Sequence, residues 1–175
     1  MSAVYLITGV SAAGKSTVAP LLAERFDRAA AVSGDAYRRM IVRGRVDMTP
    51  DAGEEALAQL GLRYRLGATV ADGYAAAGFT AVLQDIAIGP MLRGWVDAVT
   101  SRPRYLIVLA PSAEVLHARN AARGKDGYHS FAVEQLDAVL RQDTPRIGLW
   151  LDTSELTPAE TVEAILARAP AEAAV

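Results

Sequence analysis

The residues with the clearest chemistry lie near the start of the chain. Gly9-Val10-Ser11-Ala12-Ala13-Gly14-Lys15-Ser16 fits the pattern G-x-x-x-x-G-K-S/T at every fixed position, and Thr17 follows it. Gly9 and Gly14 allow the backbone to turn tightly, so that successive N–H groups point inward at a polyphosphate. A helix opening at this point adds its positive end. Lys15 is a mobile point charge able to follow the β- and γ-phosphates, and the Ser16 hydroxyl suits Mg²⁺. The pattern implies a site for a nucleoside triphosphate such as ATP, with Mg²⁺.

A phosphate loop by itself does not distinguish a kinase from a switch or a motor. Asp35, just beyond a second strand, is a candidate to accept a hydroxyl proton, or else the N-cap of a helix over 36–42. Asp85 ends a third strand, where a carboxylate holds Mg²⁺ through water, faces an acceptor or serves the fold alone. The turn Ile86–Pro90 after it would wall the same crevice. Arg119 and Arg123 are four apart on one helix face and lead into Gly124-Lys125-Asp126-Gly127. That segment reads as a basic lid over the phosphates, or as a solvated face. Arg38, Arg39, Arg43 and Arg45 cluster after Asp35, with Arg38 the candidate acceptor contact. His117 and His129 have no ligand-spaced partners, which argues against a metal site built on them.

Positioning these residues requires a sheet. Ala3–Ile7, Ala29–Val32, Phe79–Leu83, Tyr105–Leu109 and Ile147–Leu151 are short apolar runs separated by helical stretches, the pattern of a parallel sheet covered on both faces. Helices are expected over 14–26, over 53–77 and from Ser112 to Ala122. In the second, Leu57, Leu60, Tyr64, Ala68 and Ala71 recur at helical spacing. Gly61, Gly67 and Gly73 weaken it and predict a bend. A last helix begins at Thr157 with Pro158 and Glu160 in capping positions and ends near Pro170. These elements make one domain over residues 1–170, with an acceptor-side insertion at about 44–78, a lid at about 119–130 and a loose tail at 171–175.

Composition narrows the partners. Eighteen basic residues against twenty acidic ones leave a net charge of −2, which disfavours a nucleic-acid coat. Sixteen of the basic residues are Arg, and the two lysines are Lys15 and Lys125, so one of them occupies the position where a phosphate loop needs Lys. There is no cysteine, which removes disulfides, thiol catalysis and thiolate metal sites. No run is long and apolar enough to span a bilayer, and the first residues lack the features of a secretory signal. A cytoplasmic protein is expected.

Together these residues resemble the small P-loop kinases of the nucleoside-monophosphate-kinase-like group, and most closely the chloramphenicol phosphotransferase-like family. The resemblance rests on Ile7–Ser16, Gly34-Asp35, Gln84–Gly89, Ala121–Gly124 and Asp152–Ser154. It implies a three-layer P-loop NTPase fold, with a five-stranded parallel sheet in the order 2-3-1-4-5, helices on both faces and a mobile lid. It implies ATP-dependent phosphorylation of a hydroxyl on a small molecule (antibiotic, nucleoside or sugar-like), with Asp35 as base and Arg123 in the lid. Residues 44–74 carry no recognisable acceptor motif. The alternatives are a non-catalytic nucleotide-binding switch and a polynucleotide 5′-hydroxyl kinase.

Overall fold

The computed structural model describes residues 2–122 and 132–175. Its apolar runs form five strands: β1 (Val4–Thr8), β2 (Ala29–Ser33), β3 (Thr80–Gln84), β4 (Arg104–Leu109) and β5 (Leu149–Leu151). All five residues of β1 are buried, as are Thr80–Leu83 of β3. Successive strand residues point to opposite faces, so continuous burial means that the sheet is covered on both sides. The strands pair in parallel in the order β2-β3-β1-β4-β5, as expected.

Register places the chemistry. Gln84 of β3 stands opposite Ser33 of β2 on one side and Ile7 of β1 on the other. The carboxyl ends of three strands therefore finish level, and the residues just past them (Gly9, Gly34-Asp35 and Asp85) converge on one crevice, the usual ligand position in an open parallel sheet. A buried reciprocal pair locks this end. Thr8 Oγ1 donates to Ala87 O at 2.8 Å and accepts from Ala87 N at 2.9 Å.

Seven helices connect the strands among the described residues: α1 (Lys15–Ala23), α2 (Gly34–Met40), α3 (Glu54–Ala76), α4 (Met91–Asp97), α5 (Ala113–Ala122), α6 (Val133–Gln142) and α7 (Pro158–Glu172). α3 packs on β2 and β3, α2 packs on α3, and α1 lies against α7. The long helix runs unbroken over 23 residues despite its three glycines. Its buried face consists of Ala56, Arg63, Tyr64, Gly67, Ala68, Ala71 and Ala75, whereas Leu57 is exposed. The expected face was thus partly rotated. Tertiary packing, rather than the larger side chains, selects the buried stripe, and it includes an arginine. Trp95 is fully buried in the core, whereas Trp150 is partly buried under the Arg146 guanidinium.

Several boundaries differ from expectation; the helix expected over 36–42, for one, is Gly34–Met40. α1 ends at Ala23, three residues early, in a turn where Arg25 N and Phe26 N bond back to Leu22 O and Ala23 O. β5 begins at Leu149, because Ile147 N closes a turn on Pro145 O and Gly148 takes a left-handed φ of 71°. At the C-terminus, the expected capping box forms at Thr157 and Glu160, but the helix continues through Pro170 to Glu172. Residues 173–175 are not loose. Ala173 is buried, Leu106 N donates to Ala173 O at 2.8 Å, and Ala174 bridges Tyr105. Arg104 Nε adds a bond of 3.0 Å to Val175 O.

Candidate active site

The phosphate loop joins β1 to α1 as its pattern requires. At Gly9 the backbone has φ 145° and passes so close to β4 that a Cβ would lie 2.5 Å from Leu109 O. Only glycine fits. Ala12 holds φ 63°, the sole positive φ on a non-glycine residue among the described residues, and such strain concentrates at functional loops. Gly14 (φ 99°) then starts α1 in a left-handed conformation. Lys15 is buried and folds back over the loop, its Nζ donating to Val10 O at 2.7 Å. Ser16 is exposed in the first turn of α1.

Ser11, Ala12, Gly14, Lys15 and Ser16 line one side of a cavity of about 170 Å³, and Asp35, Arg63, Gln84 and Asp85 line the other. The crevice therefore unites the phosphate loop with both expected carboxylates. Asp35 is not the cap of its helix; Ser33 holds that position and Asp35 lies in the first turn. Its carboxylate accepts from Arg38 Nε at 2.8 Å and pairs with Arg39 Nε at 3.3 Å. Arg38 also pairs with Asp47 at 2.8 Å, as does Arg45 at 3.6 Å. Three of the four clustered arginines thus pair with acidic neighbours, which leaves little of a basic track toward the crevice.

Asp85 is 3% exposed and engaged by a residue the sequence reading did not single out. Arg63 reaches it from α3 with two donors, Nε to Oδ2 at 2.8 Å and a second contact from the guanidinium to Oδ1. The Ile86 amide also donates to Oδ1 at 2.7 Å. This fork holds both side chains in one geometry. The backbone of Gly34 presses against the pair, and a Cβ there would sit 1.8 Å from Asp85 Oδ2. Gln84 Nε2 donates to Ser33 Oγ at 2.7 Å and completes the tie between β2 and β3. The one signal for Arg63 in the sequence is its phase. It falls on the same helical stripe as Ala56, Gly67 and Ala71, where a charged residue needs a buried partner.

On the other side of the loop, Ala13, Thr17 and Val18 share a cavity of about 310 Å³ with Arg119, Thr153 and Pro158. Arg119 donates to Thr153 O at 3.1 Å. Ser154 Oγ accepts from Ser112 N at 2.8 Å, and both the hydroxyl and the backbone N–H of Ser154 donate to Asp152 Oδ1. Those hydrogen bonds from Ser154 hold the Asp152 carboxyl below its usual range. Thr153 Oγ1 is buried in this wall without a hydrogen-bond partner among the described residues, a polar atom suited to a ligand in the cavity. Arg123 and Lys125, with the rest of the expected lid, lie outside the described residues.

The donor set fits a magnesium ion held mainly by phosphate and water: one hydroxyl at Ser16, with carboxylates across the cavity. Water-mediated contact from Asp85 is compatible with this geometry, but direct coordination would have to displace Arg63. Among the described residues no group of three or more His, Asp or Glu side chains could hold a metal by itself. Among them also, no helix is long and apolar enough to cross a membrane.

The fold and the loop define a P-loop kinase-like protein. The profile of the family AAA_33, an AAA domain, matches residues 4–163, and the chain belongs to that family. No curated protein sequence matches it. Solved structures share the fold at low identity. A sugar kinase from Janibacter sp. is 20% identical with a TM-score of 0.69, covering 95% of this chain and 94% of its own. The Mycobacterium tuberculosis APS kinase CysC, in complex with AMPPNP and APS, is 18% identical with a TM-score of 0.66, covering 95% and 96%. The Deinococcus radiodurans tunicamycin resistance protein is 16% identical with a TM-score of 0.65, covering 100% and 99%.

Proposed function

We propose that the protein is a phosphotransferase that moves the γ-phosphoryl group of Mg·ATP onto a hydroxyl of a small molecule. The observation that carries this reading is a single cavity lined by Lys15, Ser16 and Asp35. A switch needs only the phosphate loop. A carboxylate across from it, oriented by Arg38 and Arg39, is what an acceptor hydroxyl needs. The nucleotide's remaining parts would lie in the cavity beside Arg119 and Thr153.

The step forms a bond between the acceptor oxygen and the γ-phosphorus and breaks the bond from that phosphorus to the β,γ-bridging oxygen. ADP leaves, and the hydroxyl proton passes to Asp35. Phosphoryl transfer needs mainly positioning and charge stabilisation. Backbone N–H groups of the loop and Lys15 supply the charge, once Lys15 exchanges Val10 O for phosphate. Ser16, and Asp85 through water, would hold Mg²⁺, which would supply positive charge beside the phosphates. Asp35 directs the hydroxyl, and Arg119 borders the nucleotide side.

Acceptor-dependent ATP consumption tests the reading, with Lys15→Ala as the inactive blank. Asp35→Asn should lower kcat by about 10²–10⁴-fold while leaving nucleotide affinity unchanged. Unimpaired transfer in Asp35→Asn would remove the base assignment. Tight nucleotide binding with no acceptor-dependent turnover would favour the switch.

A further inference from the structure

A second cavity, of about 280 Å³, opens beside the phosphate crevice between α3, the turn after β3 and α6. The two share Arg63 and Ile86, so a molecule seated in the second cavity reaches the first past those residues. Its walls are hydrocarbon and thioether: Met48 and Leu60 on one side, Ile88 and Met91 on the next, Leu136 and Val139 on the third. The polar atoms at its edge are engaged. Tyr64 donates its hydroxyl to Ile86 O at 2.7 Å, and the Arg63 guanidinium, the one charge among the described lining residues, is held by Asp85.

We propose that this cavity receives the body of the phosphoryl acceptor, and that the acceptor is an uncharged alcohol with an apolar skeleton rather than a sugar, polyol or anion. The inference rests on the phosphotransferase reading and names its substrate class. A sugar placed here would surrender its hydrogen bonds to water and find few replacements among the described lining residues, and a carboxylate or sulfate would meet among them no countercharge but the Arg63 already held by Asp85. An aryl or alkyl body would instead exchange water for packed side chains, with Met48 and Met91 able to adapt to its outline. At the bulk volume of about 30 Å³ per water, the space equals about nine waters, the size of one ring carrying a short chain. The hydroxyl at the end of that chain would emerge at Arg63 and Ile86, on the side where Asp35 and Lys15 stand.

The test compares 3-phenylpropan-1-ol with glucose and gluconate in the ATP-consumption assay, alongside saturation-transfer NMR of each compound on the AMPPNP-loaded protein. The aryl alcohol should show a kcat/KM at least about tenfold above either polar acceptor. Leu136→Asp should raise its KM at least about tenfold with nucleotide affinity unchanged, and Leu136→Met should behave as the parent. Equal or better turnover of glucose or gluconate overturns the proposal, as does an aryl-alcohol NMR signal that Leu136→Asp leaves intact or that never appears. If no compound is phosphorylated while an aryl-alcohol signal depends on Leu136, the transfer reading fails and the cavity's ligand class stands.

Discussion

Replacing Arg63 by Met strips the Asp85 carboxylate of its counterion at a point where little solvent reaches it. The two side chains are 9% and 2% exposed, so the pair is not screened as a surface bridge would be. Breaking a buried pair by removing one partner costs about 3–5 kcal/mol. For a chain of this size each kcal/mol lowers the melting temperature by about 2–4 °C, so Arg63→Met and Asp85→Leu should each lose roughly 6–20 °C. The double variant should recover most of that loss, because replacing both members by apolar groups leaves no uncompensated charge. Circular-dichroism melts of the parent, both single variants and the double complete the cycle. Turnover measured on the same samples separates the roles: the double variant regains stability but not phosphoryl transfer, since Arg63 borders both the phosphate and the apolar cavities. Single variants that melt within roughly 2 °C of the parent, or a double no more stable than the worse single, would refute this reasoning.

Gly34→Ala tests the same node from the backbone: its Cβ, 1.8 Å from Asp85 Oδ2, must displace the carboxylate, and the variant should lose acceptor-dependent turnover more than nucleotide binding, as titration calorimetry would show. Asp72 reports on folding at low pH. Burial works to raise its pKa, but hydrogen bonds from Thr100 and Ser101 prevail and hold it below the ordinary 3.8. Its contribution is therefore complete above pH 3.8 and is lost as the pH falls through the folded value, and Asp72→Asn should flatten that part of the acid-unfolding curve. Deleting residues 173–175 removes the bonds from Leu106 N and Arg104 Nε and the one from Val175 N to Arg104 O. At about 0.5–1.5 kcal/mol each, their loss should be visible as a lower urea midpoint.

The residues that were legible in the sequence share a property: their chemistry is local. A phosphate loop is built from consecutive residues whose backbone conformations form it, so Gly9–Ser16 announced the loop and its place between β1 and α1. The Thr157–Glu160 capping box was legible for the same reason, since its partners lie within one turn. Asp35 and Asp85 could be found because strand ends converge in any parallel sheet. The face of α3 was harder, because alanines and a glycine pack there while Leu57 faces solvent. Periodicity weighs large apolar residues, and this helix approaches the sheet through small ones.

What the chain determined by itself is the phosphate loop and its flanks: a strand, a strained glycine-bounded loop and a helix bearing Lys15 and Ser16. What only the tertiary structure decided is the wall that faces the loop. Arg63 and Asp85 are 22 positions apart, and nothing in either neighbourhood announces their pairing. The apolar cavity draws its walls from α3, the turn after β3 and α6, three separate stretches of the chain. The C-terminal residues are ordered because β4 offers them backbone partners. Burial, countercharge and cavity shape belong to neighbours in space. Turn geometry and capping belong to neighbours in sequence, which is why one half of the site could be read directly and the other had to be folded first.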